Sequence, residues 1–108
     1  MNDRRLEDRR CVNLAANLKL MNVINGPAEI TEVSPSGLRL TSRFLFSRMN
    51  MEELGDLIGH SLRLSIPSEN LNVEGHLLRV DPDYLCMKVH STTNAVLWHN
   101  LCDNQMTN

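Results

Sequence analysis

Four arginines are concentrated near the start of this sequence. They fall within seven consecutive positions, although the formal net charge of the 108-residue chain is only −2: Arg4, Arg5, Arg9 and Arg10. A guanidinium group can fork onto two phosphate oxygens or stack on a flat ring, and lysine does neither well. The cluster is therefore suited to a flat anionic ligand, although taken alone it is more typical of a disordered basic arm.

A second pattern begins 23 residues after Arg9 and contains the residues of a tight turn. It reads Glu32-Val33-Ser34-Pro35-Ser36-Gly37. The Ser34 hydroxyl can stabilise such a turn or contact a ligand. Gly37 can satisfy a positive backbone angle or allow another group to approach the backbone closely.

Apolar residues that alternate with polar ones predict a mainly β domain. The alternating runs predict six strands, over residues 12–20, 29–33, 38–40, 62–66, 71–80 and 85–89. We expect Asn25-Gly26-Pro27 to end the first strand and residues 34–37 to join the second and third as a hairpin. A slip in the apolar phase predicts a β-bulge near Gly75.

Helical patterns occupy two places. Residues 43–59 are interpreted as an insertion with a helical turn near Met49, interrupted by glycines. After Ser91 or Thr92, either of which can act as the N-cap, apolar residues recur every three or four positions through Trp98, which we expect to anchor the helix in the core. The predicted fold is a six-stranded antiparallel β-barrel with a C-terminal α-helix packed over one opening.

Length and composition favour one globular domain, with 42% apolar and 22% charged residues. No apolar run approaches the roughly 20 residues that span a bilayer, and no signal peptide is evident, so a cytoplasmic location without a membrane span is expected. The cysteines are too far apart to suggest a disulfide framework, and the histidines lack metal-ligand spacing. These residues are Cys11, Cys86, Cys102, His60, His76, His90 and His99.

Two other classes of function have little support. Ser34 has no sequence-evident His or Asp partner, and no glycine-rich phosphate loop precedes a helix, so we do not expect an enzyme. A small barrel that binds single-stranded nucleic acid needs stacking aromatics and a basic stripe on its strands. Aromatic residues make up only 4% of this chain. No nucleic acid polymer is expected as a partner.

The two local patterns, in this order and with a strand between them, resemble the signature of the PilZ domain family. That signature is Arg-x-x-x-Arg followed by Asp/Asn-x-Ser-x-x-Gly. Arg5 and Arg9 match its arginines, and Ser34 and Gly37 match its serine and glycine. The predicted barrel and helix also match the family layout over nearly the whole chain. Glu32 departs from the signature, and its extra methylene predicts a reduced or lost affinity.

The resemblance implies a binding site for cyclic di-GMP, a ligand with two phosphodiester charges and two guanines. Residues 1–11 would form a flexible arm, and residues 12–108 a single barrel domain. Arg5 and Arg9 would close over ligand held by the barrel. Glu32 would accept hydrogen bonds from a guanine edge, Ser34 would lie near a phosphate or base, and Gly37 would admit the ligand close to the backbone.

Two further arginines of the N-terminal cluster have separate expected roles. Arg4 stands just before the paired motif, where an arginine in this family accompanies two stacked ligand molecules, and a homodimer is expected only through such a pair. Arg10 is assigned equally to the solvated surface and to ligand contact.

The function implied is that of a receptor module. Ligand binding would order the arm and change a surface offered to an unidentified effector protein. Family resemblance associates such modules with motility, attachment, exopolysaccharide production or virulence. The alternative is a degenerate PilZ domain that binds no nucleotide and acts as a protein–protein adaptor, and Glu32 keeps this alternative open.

Overall fold

A computed structural model describes residues 9–103, which contain a closed antiparallel barrel of six strands. The order of strands around the barrel is β1-β2-β3-β6-β5-β4, so each strand has a hydrogen-bonded neighbour on both sides. The strands are β1 (Arg10–Leu20), β2 (Ile24–Ser34), β3 (Gly37–Thr41), β4 (Ser61–Ile66), β5 (Leu71–Val80) and β6 (Leu85–Thr92). The predicted fold is confirmed, and β1 takes in the last two residues of the segment interpreted as an arm.

Three helices accompany the strands in the described part of the chain. They are α1 (Arg43–Arg48), α2 (Met51–Gly55) and α3 (Ala95–Asp103), and a 3-10 turn covers Pro67–Glu69. Ser42 caps α1 by accepting from the Leu45 amide, and Asn50 forms a capping box with Glu53 at α2. The insertion therefore holds two short helices where the sequence predicted one turn. No helix among the described residues has the length and apolar character needed to cross a membrane.

The core fills the inside of the barrel. Apolar side chains that alternate along the strands are almost wholly buried, including Leu18, Ile30, Leu40, Leu64, Val73 and Leu85. Helix α3 adds Trp98, whose side chain is 4% exposed and whose indole Nε1 donates to the Pro35 carbonyl oxygen at 2.9 Å. Trp98 is thus a core anchor, as expected, and it ties α3 to the β2–β3 turn.

The first hairpin turn lies elsewhere than the sequence predicted. Met21 and Asn22 have φ angles of 58° and 61°, and the Val23 amide donates to the Leu20 carbonyl at 3.1 Å. Two successive positive φ angles define a type I′ turn, which suits the twist of paired strands. The residues Asn25-Gly26-Pro27 are part of β2, so the prediction that they end the first strand was wrong.

The N-cap of α3 also differs from the prediction. The Asn94 side-chain oxygen accepts a hydrogen bond from the Leu97 amide at 3.0 Å, which is the usual N-cap contact. Ser91 and Thr92 are still in β6. The strand extends further than the alternation suggested, so the cap falls two or three residues later.

Bulges interrupt the strand pairing at several points. One lies between Glu74 and Gly75 in the β5–β6 ladder, where the sequence predicted it. There the two backbones approach so closely that a Cβ on Gly75 would stand 1.6 Å from the Lys88 carbonyl oxygen. Glycine is required at this position because any side chain would overlap the neighbouring strand.

Gly75→Ala is expected to destabilise the fold by about 1–3 kcal/mol, because β6 must shift to admit the methyl group. Gly55→Ala is the matched control: nothing lies within 4 Å of the added carbon there. Its helical position favours alanine by up to about 1 kcal/mol. Urea denaturation of both variants tests this, and equal stability of the two would contradict the packing account.

Candidate functional site

A row of side chains crosses four strands on the outer face of the barrel. Glu32 of β2 is the register partner of Arg39 of β3. Cys86 of β6 is the register partner of Arg39 on one side and of Arg79 of β5 on the other. Residues that pair directly across antiparallel strands project from the same face of the sheet. We call this set the Glu32–Arg79 row.

β-Bulges place both ends of the Glu32–Arg79 row. The β2–β3 register shifts between Ile30 and Glu32, and the β5–β6 register shifts between Leu77 and Arg79. Strict alternation would turn Glu32 toward the same face as the buried Ile30 side chain. The extra residue in the bulge turns it outward and leaves Val33 to fill the core.

A groove of about 780 Å³ runs along the row. Four of its lining residues are cationic, and Glu32 is the one carboxylate among the lining residues of this described groove. The cations are Arg9, Arg39, Arg79 and Lys88. Because the whole chain carries a net charge of −2, this is a local concentration of positive charge. Such a groove attracts anions.

Glu32 lies between two of the arginines. Its Oε1 is 3.4 Å from Nη1 of Arg9 and 3.9 Å from Nη2 of Arg39. The Arg9 side chain is 50% exposed, so water screens this ion pair. The carboxylate partly neutralises both guanidinium groups, but neither contact is short.

Arg39 and Arg79 are connected through Tyr84. The Arg39 guanidinium carbon lies 4.0 Å from the centroid of the Tyr84 ring, in a cation–π contact. The Tyr84 hydroxyl accepts from Nη2 of Arg79 at 3.2 Å, and Nε of Arg79 donates to Asp81 at 3.0 Å. The hydrogen bonds with Tyr84 and then Asp81 raise the pKa of Arg79, so this group keeps its charge.

Ser34 and Gly37 lie at the turn that borders the groove. The Ser34 hydroxyl donates to the Gly37 carbonyl oxygen at 3.1 Å, which is the turn-stabilising contact. Among described glycines only Gly59 has a positive φ, so the suggestion that Gly37 satisfies a positive backbone angle was wrong. A Cβ on Gly37 would lie 3.1 Å from the Met87 carbonyl oxygen. The glycine therefore lets β3 and β6 pair closely.

The remaining arginines of the N-terminal cluster are separated from this groove or lie outside the description. Arg10 donates from Nη1 to the Leu101 carbonyl oxygen at 2.5 Å, at the C-terminal end of α3. A cation is favourable there because the last helical carbonyls lack partners. Arg10 lines a different, smaller cavity. Arg4 and Arg5 lie outside the described residues.

The sequence patterns identified only part of the site. Of the predicted site residues, the structure brings Arg9, Glu32, Ser34 and Gly37 together. Arg39, Arg79, Lys88 and Tyr84 belong to no motif. The available signal was their polar position within alternating strands, as in Leu38-Arg39-Leu40, and it does not say which polar residues meet across the barrel.

Comparison with known proteins adds no assignment. No protein-family model matches the chain, and no curated protein matches it. Within the described residues, no group of three or more histidine, cysteine or acidic side chains is placed to hold a metal ion, and all three cysteines are free thiols. The cationic groove is therefore the feature from which function is argued.

Glu32→Gln is expected to change the free energy of unfolding by less than about 1 kcal/mol, because exposed ion pairs contribute little. Ile30→Ala, on the same strand but in the core, should cost about 2–5 kcal/mol. Denaturant titration of both variants tests the contrast. A loss above about 2 kcal/mol for Glu32→Gln would show that the carboxylate is a structural group.

Proposed function

We propose that this chain is a binding module of the PilZ type whose ligand is cyclic di-GMP, and that it is not an enzyme. One observation carries the proposal. The cationic groove is lined by every described residue that occupies a defined position of the PilZ signature, namely Arg9, Glu32, Ser34 and Gly37. These residues come from separate places in the sequence, and they lie together beside an excess of positive charge.

The chemistry of the groove suits a cyclic dinucleotide. Each of its two phosphodiester groups carries a negative charge, and guanidinium groups make strong charge-assisted hydrogen bonds to phosphate oxygens. Arg9, Arg39 and Arg79 supply three such groups, and Lys88 adds a fourth cation. The volume of about 780 Å³ lies within the range of small-ligand sites, roughly 300–1,000 Å³.

Glu32 would exchange its partners when the ligand binds. Its carboxylate now faces Arg9 and Arg39 at 3.4 and 3.9 Å. A guanine edge offers N–H donors that a carboxylate can accept, while the released Arg9 guanidinium turns to a phosphate. Since an exposed ion pair contributes about 0–1 kcal/mol, little free energy opposes the exchange.

Ligand binding would be signalled to an effector protein through the N-terminal segment. In this proposal the residues around Arg5 close over the bound ligand and, with the groove, form a surface for an effector protein. A cytoplasmic location and a role in motility or biofilm regulation belong to the same proposal. They are supported by the resemblance of the sequence patterns to the PilZ signature.

One observation favours a second candidate, a nucleotide-independent adaptor. Two groups that the ligand would use already have partners within the protein, because Glu32 faces two arginines and the Ser34 hydroxyl donates to Gly37. A barrel that uses these contacts only to stabilise its own wall would present the same surface to a protein partner without any ligand.

Isothermal titration with cyclic di-GMP tests the proposal. We expect Arg5→Ala and Arg9→Ala to weaken binding about tenfold to a hundredfold, the effect of losing a hydrogen bond to a charged group. Glu32→Asp should bind more tightly than the parent, because the shorter side chain releases both arginines. Arg63→Ala is the control, since Arg63 pairs with Glu74 on strands β4 and β5 and does not line the groove.

The outcomes separate the candidate functions. A parent that is silent at millimolar ligand, with binding gained in Glu32→Asp, would favour the adaptor. Affinity for any single strand with a steep dependence on salt would instead favour a nucleic acid-binding barrel. Tight binding that survives both arginine substitutions would contradict the proposed site.

Stoichiometry in the same titration tests the role of Arg4. If two stacked ligands bind, the parent should take up two nucleotides per protomer and Arg4→Ala only one. One nucleotide per protomer in both proteins would remove the stacked pair, and with it the expected route to a homodimer.

A further inference from the structure

Arg39 is held in the groove by an aromatic ring rather than by a strong ion pair. Its guanidinium carbon lies 4.0 Å from the centre of the Tyr84 ring, whereas its distance to Glu32, 3.9 Å, is too long for a hydrogen bond. Within the described residues its Nε atom is buried and has no hydrogen-bond partner. The stack therefore fixes the group while leaving much of its charge available.

The position of Tyr84 is in turn fixed by hydrogen bonding. Its hydroxyl accepts from Arg79, and Arg79 is held in turn by Asp81, whose carboxylate is 3.0 Å from Nε. An aromatic ring with a bonded hydroxyl has little freedom to turn. The Arg39 guanidinium thus rests on a support built by three residues of β5 and the β5–β6 connection, namely Tyr84, Arg79 and Asp81.

The open side of Arg39 faces the groove. Arg39 is among the groove-lining residues and Tyr84 is not, so the ring lies behind the guanidinium as seen from the groove. The Arg39 side chain is 30% exposed. A flat guanidinium backed by a ring on one side and open on the other is suited to receive a second flat ring.

We propose that Arg39, backed by Tyr84, is the stacking platform for one guanine of the ligand. This inference rests on the proposed function and adds to it a residue that neither sequence pattern contains. The base would lie on the open side of the guanidinium, so that guanine, Arg39 and Tyr84 form one stack. Arg9, Arg79 and Lys88 remain as the cations available to phosphate, and Glu32 lies beside the stacked base to accept from its edge.

Arg39→Lys separates stacking from simple charge. Lysine keeps the positive charge but lacks the flat guanidinium, so a phosphate partner would be largely preserved and a stacking platform would be lost. We expect binding of cyclic di-GMP to weaken about tenfold to a hundredfold, the range that stacked bases show on removal of their platform. The dependence of affinity on salt should match the parent, because the number of cations is unchanged.

Calorimetry at two salt concentrations provides the measurement, with Arg63→Lys as the matched control that should bind like the parent. Tyr84→Leu is the second variant, and it should weaken binding because Arg39 loses its support. The double variant should bind no more weakly than Arg39→Lys alone, since both changes remove one stack. Melting curves followed by circular dichroism establish that each variant is folded.

Two results overturn the inference and can be told apart. A parent that does not bind cyclic di-GMP ends the proposed function and this inference with it. A parent that binds, with Arg39→Lys within threefold of its affinity or with additive effects of Arg39→Lys and Tyr84→Leu, leaves the proposed function standing and ends the stacking role of Arg39.

Discussion

The register of the closed barrel is the constraint on which the candidate site depends. Each strand is paired on both sides, so no strand can shift without disturbing its two neighbours. A slip of one residue would send outward side chains into the core and apolar ones into water. The row from Glu32 to Arg79 exists only because four strands hold one register, corrected by a bulge near each end. The site and the core are therefore stabilised by the same pairing.

The electrostatics of the groove follow from that register. Pairing brings cations from β3, β5 and β6 onto one face, where their repulsion has to be offset. Glu32, the Tyr84 ring and Asp81 each contact one or two guanidinium groups and offset part of it. None of these contacts is a buried ion pair that neutralises a cation completely. The wall of the groove therefore keeps a net positive charge, which an anionic ligand would neutralise.

Alternation and local signals accounted for most of the fold but not for its irregularities. The phase slip at Gly75 predicted a bulge, and the same kind of signal is present where the buried Ile30 and Val33 are three residues apart. That spacing indicates a bulge between the two buried residues, which turns Glu32 outward, although a bulge was predicted only near Gly75. The turn at Met21 carries no glycine, and the stronger turn signal after it lies inside β2, where Gly26 makes room for the Phe44 ring.

The candidate site also contains residues that the sequence predicted and residues that it did not. Arg9, Ser34 and Gly37 belong to patterns that can be read locally. Arg39 and Arg79 are 40 residues apart, and they are brought together by their common register partner in β6, Cys86, and by Tyr84. The central claim is that this composite groove binds cyclic di-GMP. Backbone amide NMR during titration with the nucleotide tests it most directly. Shifts concentrated at Glu32 and across β3, β5 and β6 along the groove are predicted, while an unchanged spectrum at saturating dose, or shifts confined to the opposite wall of the barrel, would contradict it.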